Sequence, residues 1–244
     1  MKTQSALATL GVALALTAPA TAQLSFDTTL PGTFTDISTT GTPLSLADDG
    51  EADIFTTVGN AVLAAGTVRV GSNGAVRFGG TGLELGFTNE PIPSSAAFGG
   101  DQTLMPFWDD VDTDGGVDGE IYWQEMGGTL IIQWDNVEFF PGGTGGTDVA
   151  TFQVQVPSTG TTWARFVYDD IMGARADGGG SATIGYQAGD MVNDVQFSFD
   201  TPASVSDGDV LSLVGTPVTP PAPNLTIVNN IAGTWVDIST TGTP

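Results

Sequence analysis

The chain has 244 residues, with 28 Asp and Glu against 5 Lys and Arg, for a formal net charge of −23. It contains no Cys and no His, which excludes Ser-His-Asp triads, cysteine nucleophiles, His/Cys zinc centres and a disulfide framework. The acidic excess excludes nucleic acid as a partner, because phosphate binding needs clustered Lys and Arg, and it disfavours anionic membrane surfaces for the same reason.

Residues 1–22 read as a Sec-type signal peptide: Lys2 supplies the positive start, residues 6–18 an apolar run, and Ala20-Thr21-Ala22 a cleavage site before Gln23. The apolar run is too short to span a bilayer. The expectation is therefore a secreted, extracellular or cell-surface protein without membrane insertion. Lys2 leaves with the signal, so the mature part has no Lys for Schiff-base chemistry, and its only positive side chains are Arg69, Arg77, Arg165 and Arg175.

Residues 23–215 read as strand upon strand. Gly and Pro punctuate the chain, and apolar residues alternate at period two. The runs 67–70 and 75–78 flank Gly71-Ser72-Asn73-Gly74, a strong hairpin signal. Val68, Val70, Val76 and Phe78 then share one face, and Arg69 and Arg77 the other. Further hairpins join 120–126 to 129–137 across Gly127-Gly128, and 149–156 to 162–169 across residues 157–160. Strands at 182–187, 194–200 and 210–214 follow. The fold class is all-β: a β-sandwich or jelly-roll-like domain of many short antiparallel strands.

Residues 216–224 form a Pro-rich, semi-rigid linker. Beyond it, GTWVDISTTGTP at 233–244 repeats GTFTDISTTGTP at 32–43 with ten identities in twelve positions, 201 residues apart. Self-similarity at domain-sized spacing marks a tandem array, so residues 225–244 are expected to be the truncated start of a second repeat, with the repeated motif as its opening strand.

The densest chemical feature is DDVDTDGGVDGE at 109–120. From Asp110 it spells D-x-D-x-D-G, the first half of an EF-hand calcium loop, in which alternate carboxylates converge and the glycine aims a carbonyl inward. Position twelve is Ile121 and helical flanks are missing, so a strict EF-hand is rejected. The candidate ligands of a structural Ca2+ are Asp110, Asp112, Asp114, Gly116 and Asp118. The alternative is a turn built from Asp and Gly with no ion. No catalytic or other cofactor-binding residues are assigned. Glu120 and Glu125 lie on one strand, but their odd spacing puts them on opposite faces, which speaks against a glycosidase pair. Asp169-Asp170 reads as a solvated strand end or a second cation site. Trp108, Trp123, Trp134 and Trp163 suit a core layer better than a sugar-stacking platform.

The order of these elements resembles the nidogen-like (NIDO) extracellular domain. The resemblance rests on LMPFWDDVD at 104–112, GEIYW at 119–123, LIIQWDNV at 130–137, TFQVQV at 151–156, WARFVYDD at 163–170 and ATIGYQ at 182–187. DISTTGTP at 36–43 and VGSNGAVRF at 70–78 look like the lead-in of related bacterial secreted repeat proteins. The enlarged Asp loop and the absence of Cys depart from the pattern. The resemblance implies an all-β, non-enzymatic extracellular module for adhesion or for matrix or surface binding, with an extracellular protein or glycan as partner. The alternative is a carbohydrate-binding module or a carboxylate-only glycoside hydrolase.

Overall fold

Alternating apolar residues need a second layer to cover them, and the chain supplies it by folding into two antiparallel sheets. The computed structural model describes residues 24–79, 85–94, 98, 101–113, 119–141, 148–173, 175–189 and 193–215. The proposed signal, linker and second repeat lie outside the described residues. The strands are β1 (Ser25–Asp27), β2 (Thr42–Pro43), β3 (Glu51–Thr56), β4 (Gly66–Gly71), β5 (Val76–Phe78), β6 (Gln102–Trp108) and β7 (Val111–Asp112), followed by β8 (Glu120–Met126), β9 (Thr129–Phe139), β10 (Val149–Pro157), β11 (Thr162–Asp170), β12 (Thr183–Gln187), β13 (Val195–Phe199) and β14 (Val210–Val214). The larger sheet runs β1-β14-β11-β10-β9-β8-β2, with β7 also paired to β9. The smaller runs β13-β12-β6-β5-β4-β3. The all-β sandwich expected from the sequence is present.

The inward faces of both sheets make one core. Val68, Val70, Val76 and Phe78 from the β4–β5 hairpin join Trp134, Phe152, Val154 and Phe166 from the larger sheet. The Trp134 and Phe152 rings stack at 5.0 Å between centroids. The Arg69 and Arg77 pair lies on the opposite face, in direct register. A smaller apolar group, Ala75, Leu85, Phe98, Met105 and Trp108, gathers separately. Trp108 is thus buried, but in this second group rather than between the sheets.

The repeated motif at 32–43 departs from expectation. Only Thr42–Pro43 forms a strand, and residues 33–37 lie against glutamine side chains of the larger sheet rather than on a strand edge. Gln153 donates to the Thr35 carbonyl at 2.6 Å and accepts the Thr35 N–H at 3.3 Å. Gln133 accepts the Ile37 N–H at 2.9 Å, and Gln155 donates to the Thr33 carbonyl at 2.9 Å. Gln153 also donates to Gln133, and Gln155 to Gln153, so the three amides form a ladder. The strap's backbone groups are satisfied by side chains, which is why it needs no strand neighbour.

Candidate functional site

The β4–β5 turn builds the acidic end of the domain. Gly74 adopts φ +74°, and a Cβ there would stand 1.9 Å from the Phe107 carbonyl oxygen. Only glycine allows this approach. The turn so placed buries Asn73, which donates to Asp49 Oδ1 at 2.9 Å and accepts the Val111 N–H at 2.9 Å. The Asp109 N–H reaches the Asn73 carbonyl at 3.3 Å, and Thr113 donates to the Leu46 carbonyl at 2.5 Å. Residues 46–49 are thereby fastened to residues 109–113.

The result is a carboxylate cluster of Asp48, Asp49 and Asp110, whose ligand oxygens lie within 4.8 Å of one another. Partial burial, then the charges of Asp49, Asp48 and Asp109, push the Asp110 carboxyl up to about 6, with Arg175 pulling weakly the other way. Asp109 is 7% exposed, and its burial raises its pKa against the hydrogen bonds it accepts from Ser181 Oγ (2.6 Å) and the Asp110 N–H (2.8 Å). A hollow of about 460 Å³ opens beside these groups, lined by Phe87, Asn89, Asp109, Asp110, Ser181 and Asp200. Like charges at this spacing repel unless a proton or a cation intervenes.

Of the five candidate calcium ligands, Asp110 sits in this cluster. Asp112 is buried in β7 opposite Glu138 and is not part of it. Asp114, Gly116 and Asp118 lie outside the described residues. Asp48 and Asp49 were not singled out by the sequence, which gave no sign that Asn73 would carry them to Asp110. Asp169 and Asp170 form an exposed strand end, where burial and the charges of Asp207 and Asp169 raise the Asp170 carboxyl.

The two glutamates weighed as a hydrolase pair are each held by neighbours. Glu120 accepts from the Ser45 N–H at 2.8 Å and from the Ser45 hydroxyl at 2.9 Å. Glu125 accepts from Thr56 Oγ1, the Thr57 N–H and Thr57 Oγ1, each at 2.6 Å, and these bonds lower its pKa. A glycosidase needs an acid whose pKa is raised, so Glu125 is tuned the wrong way for that task. No helix among the described residues is long and apolar enough to cross a membrane.

Comparison with known proteins gives one result. Residues 25–226 match the family model described as NIDO related. No curated protein and no solved structure matches.

Proposed function

The chain belongs to the NIDO-related family, and from that premise we propose that it is an exported, non-enzymatic extracellular module that serves adhesion to a matrix or surface. The observation that carries the reading is the family match across 25–226, since nidogen-like domains are typically extracellular. The signal-like residues 1–22 and the missing His and Cys side chains agree with it. The hydrogen bonds that hold Glu120 and the lowered pKa of Glu125 favour binding over hydrolysis.

A structural Ca2+ belongs to the same proposal, moved from the loop 110–118 to Asp110 with Asp48 and Asp49. Three carboxylates supply the hard oxygen donors this ion prefers, and the ion would offset the burial and then the mutual repulsion that raise Asp110. Tagged chain should appear outside the cytoplasm on fractionation. The purified protein should be retained on extracellular matrix without cleaving chromogenic glycosides. Cytoplasmic retention, or glycoside turnover abolished by a single Glu→Gln change, would overturn the reading. An identical thermal midpoint in calcium and in chelator would remove the ion.

A further inference from the structure

A cleft opens at one edge of the sandwich, between the terminal strand β3 of the smaller sheet and the β8–β2 edge of the larger. Its volume is about 350 Å³, at the lower end of the range for ligand pockets, about 300–1,000 Å³. Four side chains give it a specific chemistry.

Phe55 is 69% exposed, pointing away from the core between the inward Ile54 and Thr56. Trp123 is half-buried, packed against the core, with Thr42 and Ile132 as its cross-strand neighbours. The other described tryptophans all donate their indole N–H to a backbone carbonyl: Trp108 to Gly86 at 2.7 Å, Trp134 to Ser72 at 3.0 Å and Trp163 to Gly215 at 3.0 Å. Trp123 has no acceptor among the described residues. A tryptophan so placed presents a ring and a free donor at the same opening. Gln124 accepts from Thr40 Oγ1 at 2.9 Å, and its amide nitrogen donates to no acceptor among the described residues. Glu125, with its lowered pKa, stays ionised and supplies an acceptor.

We propose that this cleft binds a neutral sugar unit of an extracellular glycan. The C–H face of a sugar carries weak positive potential and stacks on the negative face of an aromatic ring, while its hydroxyls take up the surrounding donors and acceptors. Phe55 and Trp123 supply the rings. Trp123 Nε1 and Gln124 Nε2 donate to sugar oxygens, and Glu125 accepts from a sugar hydroxyl. Among the described residues no Lys or Arg lines the cleft, and the Glu125 charge repels sulfated or uronic sugars. Among the described residues Glu125 is the one acid in the lining, whereas cleavage needs a pair of carboxyl groups, so the sugar is held rather than cleaved. The proposal deepens the reading of the chain as an extracellular binding module. It rests on that reading for the source of the glycan, but not for the chemistry of the cleft.

The test is a titration of the full chain, followed by tryptophan fluorescence, with neutral hexasaccharides of glucose, xylose, mannose and N-acetylglucosamine. A heparin hexasaccharide is the charged comparison. At least one neutral oligosaccharide should bind and shift the fluorescence, and heparin should not. Phe55→Ala, at an exposed position, should keep the parent melting midpoint and weaken binding about tenfold. Trp123→Phe keeps a ring but removes the N–H, and should weaken it by about the same factor. Binding of none of the neutral sugars, binding of heparin alone, or undiminished binding by Phe55→Ala would overturn the proposal. Retention on matrix without oligosaccharide binding would sink the cleft alone, whereas loss of both would sink the adhesive reading as well.

Discussion

Asn73 donates its side-chain N–H to Asp49 Oδ1 at 2.9 Å while the same amide accepts the Val111 N–H at 2.9 Å. One buried side chain thus fixes the distance between the acidic loop and Val111, the first residue of β7 and the neighbour of Asp110. Asn73→Ala removes both bonds, one of them to a charged group, and leaves the Val111 N–H without its acceptor. The expected loss is about 2–3 kcal/mol of stability, read from urea denaturation. A variant as stable as the parent would mean that the acidic end holds itself in place.

Asp110→Asn should act in opposite directions with and without calcium. In chelator it removes a charge that Asp49, Asp48 and Asp109 repel in a partly dehydrated site, so the midpoint should rise by the equivalent of about 1 kcal/mol, after allowance for solvent screening. In millimolar calcium the parent should gain and the variant should gain much less, since one ligand is gone. Differential scanning calorimetry in both buffers decides this. Equal calcium responses would place the ion elsewhere or nowhere.

Gly74→Ala should prevent folding or cost several kcal/mol. The added methyl would sit 1.9 Å from the Phe107 carbonyl oxygen, at a φ of +74° that alanine rarely adopts. The clash is with backbone, so no side chain can move to relieve it. Soluble expression and far-ultraviolet dichroism would show the loss.

These residues also show what the sequence could reveal. The β4–β5 hairpin was legible because Val68, Val70, Val76 and Phe78 alternate around an Asn-Gly turn, and both signals are local. The same period two found the β8–β9 and β10–β11 hairpins to within two residues of their ends. β3 is hard to read although Asp49-Gly50 marks a turn just before it, because its alternation is short, with Ile54 and Thr56 inward around an exposed Phe55. The strap at 32–41 reads as an opening strand only because its motif recurs at 233–244. Its actual partners are Gln133, Gln153 and Gln155, about a hundred residues away, and nothing local announces them. For the acidic cluster, Asp density singles out Asp110, which the fold sets beside Asp48 and Asp49. Asp48 and Asp49 enter only through the fold, by way of Asn73.

Gln153→Leu should loosen that strap without unmaking the sheets. The side chain is fully buried and bonds Thr35 in both directions, besides Gln133 and Gln155. Leucine has similar volume but leaves several buried polar groups unpaired, at about 1–3 kcal/mol each in the worst case. The strap can meet water when it lifts, so the expected loss is about 2–3 kcal/mol overall. Limited proteolysis should newly cut within residues 32–41, while the core tryptophan fluorescence stays native. Unchanged protection would mean that Ile37, buried without any exposed surface, is sufficient to hold the strap.

Glu125 sets an acid limit on the sandwich edge. Its carboxylate joins β8 of one sheet to Thr56 and Thr57 at the end of β3 in the other, and these bonds lower its pKa in the folded state. A carboxyl with a depressed folded pKa contributes stability that is fully present above its unfolded pKa, about 4.3, and is lost as pH falls through the folded value. Glu125→Gln keeps the shape and removes the charge, so it should be less stable than the parent at pH 7. The gap between the two should close as the parent is acidified below pH 4. Urea denaturation of both proteins at neutral and acid pH gives the comparison. A gap that persists unchanged into acid would show that shape and packing at Glu125, rather than its charge, tie the two sheets together there.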